Sequence, residues 1–283
     1  MIGLRNRLSA ALLAGSLLAP LPALAGAASD WAKSPRTTVR LIGGDAAERP
    51  QGPILIAGVE IRMEEGWKTY WRTPGDAGGV PPSFDWAGSS NVADARVLYP
   101  APHRFTDQAG STVGYKGSVV FPVEVRPQDP KKPVVLKLAV AYGVCKDVCI
   151  PAEAKLELNL GGKADAETGP ILARSLGMVP RTTKPAAGDP VVASIKAEIA
   201  GLSPRLVLDA KVPKGAAGVD MFIEAADGAF VPLPTIAGKG ADGAVQFVCD
   251  LSKGVDLADL KGKELTITLV SDAGGTETKW QMP

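Results

Sequence analysis

The chain of 283 residues is 46% hydrophobic and 22% charged, and its 31 Lys and Arg almost cancel its 30 Asp and Glu, leaving a formal charge of +1. That balance gives no electrostatic footprint for nucleic acid or for an anionic membrane surface. With 32 Gly and 24 Pro, the composition disfavours a helical bundle and favours short strands joined by turns.

Residues 1–25 read as a cleaved export signal. Arg5 and Arg7 form a basic start, an apolar stretch follows, and Ala-Leu-Ala at 23–25 is a small-residue cleavage pattern. Pro20 and Pro22 interrupt the apolar stretch, which is also short for a membrane span of about 20 residues. Loss of the two arginines brings the formal charge to −1. About 260 residues remain, more than one domain usually holds, so two domains are expected. No later segment is long and apolar enough to span a membrane, so the mature chain is expected to be soluble outside the cytoplasm, without a direct membrane span.

Taken in order, residues 37–44, 53–63, 67–72, 93–100, 117–125, 134–142 and 154–160 alternate apolar with polar residues and read as strands. The breaks between them are rich in Pro, which removes ladder donors, and in Gly, which supplies positive φ. Residues 165–180 hold one short helix, with Pro170 near its start and Gly177 at its end, and a Pro-rich linker follows at 181–190. Alternation resumes at 205–212, 219–225, 243–251, 264–272 and 276–282. The expectation is an all-β protein: a sandwich over 30–163, a helix and linker over 164–189, and a second sandwich over 190–283. No chemical motif appears in the second half, and Cys249, inside an apolar strand, reads as a buried inert thiol, with an intermolecular bridge as the alternative.

Cys145 and Cys149 stand apart from this pattern because only Lys146, Asp147 and Val148 separate them. If the two flanking segments are arms of one hairpin with Asp147 at its tip, Cys145 faces Cys149, Tyr142 faces Ala152, Val140 faces Ala154 and Leu138 faces Leu156. One face of the ladder is then apolar or aromatic, and on the other Lys137 opposes Glu157. Directly opposed residues lie about 4.5–5.5 Å apart at Cα, within the reach of a disulfide. With no glycine in the three-residue loop, a strained tip is expected.

As a staple such a bond is poorly placed. A loop of about five residues yields around 2 kcal/mol by chain entropy, against nearly 5 for a loop of about 100. Three chemistries stay open: dithiol–disulfide exchange, an inert bridge, and Cu(I) held by two soft thiolates. Zinc is disfavoured, since a closed site wants four ligands and the chain has a single histidine, His103.

Three blocks, residues 66–86, 99–125 and 142–158, resemble in order the periplasmic N-terminal domain of the DsbD and ScsB thiol–disulfide reductases, an immunoglobulin-like module. The resemblance implies an immunoglobulin-like form for the first sandwich, redox cysteines at Cys145 and Cys149, and Cys149 as the sulfur that meets the partner. With the second sandwich read from its alternation, two immunoglobulin-like antiparallel β-sandwich domains are expected. It also implies an aromatic cap over the cysteines, which falls on Phe105 in a loop from about 103 to 112, an ordinary core aromatic being the alternative, with Tyr115 and Tyr142 lining the same pocket or simply packing. Acidic residues precede the cap in familiar DsbD members. Here His103 and Arg104 stand there, and His103 is either a neighbour that favours thiolate or an ordinary surface residue.

The implied function is periplasmic relay of reducing equivalents, with no organic cofactor required. The implied partners are thioredoxin-like periplasmic proteins and a separate membrane electron-transfer protein. The ScsB likeness also keeps copper tolerance open, with Cys145 and Cys149 as Cu(I) ligands.

Overall fold

The computed structural model describes residues 27–283 apart from 51, 109, 162, 183 and 184, so the export signal expected at 1–25 lies outside the described residues. The first half holds β1 (Ala32–Ser34), β2 (Thr37–Gly43), β3 (Ala47–Arg49), β4 (Gly52–Met63), β5 (Lys68–Tyr70) and β6 (Ser83–Asp85). It continues with β7 (Val92–Val97), β8 (His103–Asp107), β9 (Gly110–Lys116), β10 (Ser118–Pro127), β11 (Val134–Cys145) and β12 (Cys149–Leu160). Helix α1 (Thr168–Gly177) follows. The second half holds β13 (Val191–Glu198), β14 (Arg205–Lys211), β15 (Asp220–Ala225), β16 (Thr235–Lys239), β17 (Ala244–Asp250), helix α2 (Leu257–Leu260), β18 (Glu264–Ser271) and β19 (Gly274–Gln281).

All sheets are antiparallel, and the fold is an all-β sandwich architecture. In the first half one sheet runs β1-β2-β4-β10-β7, with β3 on β4, and the other runs β12-β11-β5-β9-β8, with β6 on β11. Their facing rows, among them Val39, Leu41, Val59, Phe121, Leu136, Leu138 and Tyr142, form one core because alternate residues of a strand point the same way. The second half stacks β13-β14-β17-β16 on β15-β18-β19 around Leu206, Leu208, Phe247, Ile267 and Leu269.

The expected helix forms where Pro170 and Gly177 place it, but it is not a free connector. Leu172 seats among Ile42, Ile54, Ile56 and Val120 on the outer face of the first sheet. The Ser175 hydroxyl donates to the Val120 carbonyl, and that of Thr168 donates to the Gly43 carbonyl at 2.9 Å. Gly58 lets the helix approach closely, since a Cβ there would lie 2.6 Å from a Leu172 methyl, which would have to shift.

The two sandwiches meet along β15. Its odd-numbered residues Met221, Ile223 and Ala225 enter the second core. The alternate row, Asp220, Phe222 and Glu224, faces the first sandwich, where Phe222 packs on Trp71 with ring centroids 5.4 Å apart.

Candidate functional site

The β11–β12 hairpin has the register expected from its apolar face: Leu138 faces Leu156, Val140 faces Ala154, Tyr142 faces Ala152 and Cys145 faces Cys149. Lys137 and Glu157 form the expected cross-strand ion pair at 3.3 Å. Cys145 and Cys149 are joined by a disulfide, with Cα atoms 4.1 Å apart. The loop closes through the Lys146 N–H and the Val148 carbonyl at 3.1 Å. No positive φ occurs at 146–148, so the strained tip expected from the lack of glycine is not a left-handed backbone.

Alternation places the sulfurs on the outer face of the second sheet, away from the inter-sheet core. Val144 and Tyr142 point into the core; Cys145 and Gly143 point out. Lys68 on β5 is paired with Cys145, and Tyr70, two residues on, shares that face. The Tyr70 hydroxyl donates to Cys145 Sγ at 3.0 Å and lies 3.3 Å from Cys149 Sγ. Cys145 is buried, whereas Cys149 is exposed beside Val148, which is 63% exposed.

The segment between β5 and β6 lies over Tyr70. A Cβ on Gly79 would fall 2.2 Å from the Tyr70 ring, so only glycine allows this approach, and the Gly143 N–H donates to the Val80 carbonyl at 3.0 Å. On the other side, β9 pairs Lys116 with Lys68 and Gly114 with Tyr70. Gly114 is also obligatory, because a Cβ would meet the Thr69 carbonyl at 2.0 Å.

Register carries the same face onto β8. His103 opposes Gly114 and Phe105 opposes Thr112. The Phe105 ring has the Lys116 ammonium 4.5 Å and the Lys68 ammonium 5.8 Å from its centroid, and His103, exposed, lies 6.5 Å from it. The segment expected as a loop at 103–112 is thus largely a β-hairpin, made by polar Thr and Ser residues that alternate without an apolar stripe.

Three lysines lie on or beside this face. Lys68, buried, donates to Thr112 Oγ1 at 2.8 Å and pairs with Asp107 at 3.5 Å. Lys116 lies beside Phe105, and the Lys146 chain packs against Gly66 next to the bridge. The Tyr70 hydroxyl is held above its ordinary pKa, first by burial and then by the Asp107 carboxylate, so it keeps its proton and remains a donor at neutral pH.

Tyr115 and Tyr142 sit in the inter-sheet core, with hydroxyls bonded to the Pro100 carbonyl at 2.8 Å and to Thr37 Oγ1 at 2.6 Å. Strand parity turns Tyr142 to the face opposite Cys145, which makes both tyrosines packing residues with tethered hydroxyls. Cys249 is fully buried, donates to the Pro232 carbonyl at 3.1 Å, and has its thiol pushed up to about 12 by burial and by Asp76 and Asp250. Among the described residues no group of three or more His, Cys, Asp or Glu side chains gathers as metal ligands. Sequence reasoning missed Tyr70 and Lys68. The available signal was parity in residues 67–71, where Trp67, Thr69 and Trp71 turn inward and Lys68 and Tyr70 outward.

Residues 45–161, the segment that carries this bridge, match the family described as thiol:disulfide interchange protein DsbD, N-terminal. Over these residues the first sandwich is similar to a DsbD N-terminal domain. A solved structure, the N-terminal periplasmic domain of ScsB from Proteus mirabilis, superposes with a TM-score of 0.68 at 22% identity. The match covers 90% of this chain and 98% of that one, so the likeness of fold extends beyond the DsbD N-terminal domain into the second sandwich. No curated protein matches the chain in sequence.

Proposed function

We propose that the chain is a periplasmic thiol–disulfide exchange protein that relays reducing equivalents through the Cys145–Cys149 couple. The observation that carries the reading is the placement of the bridge: it closes a hairpin already held by a full ladder, and one sulfur is exposed while the other lies beneath a hydroxyl. A bond so placed adds little stability and is open to attack. The DsbD N-terminal match supports the same chemistry.

In the proposed mechanism a partner thiolate attacks Cys149 Sγ in line with the S–S bond. The bond to Cys145 breaks, a mixed disulfide forms through Cys149, and Cys145 departs as a thiolate. Tyr70 donates to that sulfur as its charge grows. The partner's second thiolate then attacks its own sulfur in the mixed disulfide and releases Cys149. Two electrons have moved, leaving the partner oxidised and the Cys145/Cys149 pair reduced. The reverse sequence passes them to a second protein.

The partners in this reading are thioredoxin-like dithiol proteins, with a separate membrane electron-transfer protein as the source. Phe105 caps the pair from β8, with His103 beside it. The export pattern at 1–25 and the periplasmic setting of the ScsB structure support the location.

The test is a redox titration in glutathione and dithiothreitol buffers. A potential within roughly −270 to −120 mV is expected, the range of exchange proteins, whereas one below about −300 mV marks a structural bond and removes the proposal. In parallel, Cys145→Ser, which leaves Cys149 unresolved, is expected to trap a mixed disulfide with a thioredoxin-like protein; Cys149→Ser is not. Cu(I) retention by the reduced protein, abolished by alkylation, is the outcome that favours copper handling at the same two sulfurs.

A further inference from the structure

Helix α1 carries two stripes. Leu172 and Ser175 turn to the first sheet, whereas Ile171 and Arg174, with Met178 directly after the helix, follow the three- and four-residue spacing of a second stripe and line one wall of a cleft. The facing wall is built from Ala101, His103 and Lys116. Between them the floor is apolar, since Pro100, Val119 and Val120 are buried there. The cleft has a volume of 420 Å³, within the roughly 300–1,000 Å³ of small-molecule sites.

Hydrogen bonds fix both walls. The Ser175 hydroxyl ties the helix to the Val120 carbonyl, the Ala101 N–H donates to the Met178 carbonyl at 2.8 Å, and the Tyr115 hydroxyl donates to the Pro100 carbonyl at 2.8 Å. The polar side chains left at the rim are cationic or donors. Among the described residues neither Lys116 nor Arg174 forms an ion pair, and Lys116 meets the Phe105 ring alone. The carboxylate in the lining, Glu60, is already taken by Arg40 at 2.8 Å and by Arg62 at 2.6 Å. Beside these charges Met178 is 42% exposed, an apolar surface without a cover.

We infer that this cleft binds a small amphiphilic anion, with a carboxylate head held by Lys116 and Arg174 and an aliphatic body laid along Met178, Ile171 and the Val119–Val120 floor. Charge complementarity selects the class. Two permanent cations without acids of their own repel a metal ion or an amine and attract an acid, and the planar guanidinium accepts a carboxylate on two donors. A bare inorganic anion uses the cations but leaves the apolar floor in water. The helix C-terminus carries partial negative charge, so the body and not the head lies against Met178. Neither sulfur nor Tyr70 lines the cleft, and the inference does not rest on the exchange reading.

The experiment is isothermal titration of the full chain, its disulfide closed, with decanoate below its micelle concentration and at about 0.05 M salt, where exposed charges are weakly screened. One saturable site with a Kd of about 1 mM or tighter is expected. 1-Decanol, the same chain without the charge, is expected to bind about fivefold more weakly or worse, and acetate, the head alone, not to saturate. Arg174→Gln and Lys116→Gln are each expected to weaken decanoate about threefold or more, and Met178→Asp, which sets a carboxylate on the apolar wall, to abolish saturation. Arg205→Gln, at another exposed cation in the second sandwich, is expected to change nothing. All four positions are exposed, and equal melting temperatures show that the fold is kept. Absence of a saturable decanoate site, equal affinity for 1-decanol, wild-type affinity in both cation variants or equal weakening by Arg205→Gln each overturns the inference. Binding of a peptide of alternating Glu and Leu where decanoate fails also overturns it and makes the cleft a protein-docking surface. No thiol exchange enters the measurement, so a failed redox titration and a failed decanoate titration are separate results.

Discussion

Tyr70 is where packing and chemistry meet. Its ring is pinned under Gly79, its hydroxyl reaches both sulfurs, and burial keeps the proton on that hydroxyl. A neutral donor beside a disulfide matters little in the ground state and more as Cys145 gains negative charge, because hydrogen bonds to charged groups are the stronger ones. Tyr70→Phe keeps the ring and deletes only the donor. Loss of a bond to a charged group costs about 1.5–3 kcal/mol, so reduction of the bridge by dithiothreitol is expected to slow by about ten- to a hundredfold. Since the hydroxyl's pKa lies above its ordinary value of 10.0, the difference is expected to persist across the neutral pH range and to fade only in alkali, where the tyrosine loses its proton. Equal rates in the two proteins across that range reduce Tyr70 to a space-filler.

At the scale of the element, the β11–β12 hairpin separates what stabilises from what reacts. Leu138, fully buried within the ladder, is expected to cost about 2–5 kcal/mol when replaced by Ala, the usual range for a core leucine. Replacing both Cys145 and Cys149 by Ala is expected to cost less than about 2 kcal/mol, since the closed loop is so short. Denaturant titration of the two variants compares them directly, and a larger loss for the cysteine pair makes the bridge a staple. This hairpin was legible in the sequence because one register alone gathers Leu136, Leu138, Val140 and Tyr142 opposite apolar partners. The β8–β9 hairpin was not. Its polar alternation resembles a loop, and its place is decided by pairing with β5, a contact that no local pattern encodes. Strand β16 was missed for a similar reason, since all five of its residues are exposed and show no apolar row. Tyr70 was hidden by the same non-local pairing, as its neighbours in sequence are core residues and its neighbours in space are sulfurs.

In the whole molecule the two sandwiches share a boundary that is itself a core. Phe222, Leu233 and Val270 of the second pack into the first sandwich's cluster with Trp71, and Arg72 lies above it, stacked 4.4 Å from the Trp71 ring and paired with Glu224 and Glu277. The strands of β15 and β19 that carry those carboxylates were legible as strands, but their outward acids gain meaning only once Arg72 fills the space between them. Removing one member of a partly buried ionic cluster leaves its partners uncompensated. Arg72→Met therefore leaves Glu224 and Glu277 facing each other across the joint, while the apolar cores on either side stay intact. The expected result in scanning calorimetry is that one cooperative transition in the parent becomes two in the variant, with the sandwiches melting separately. A variant that melts in a single step at a lower temperature would instead show that Trp71 and Phe222 alone couple the halves, and the ionic joint would then serve orientation and not cooperativity.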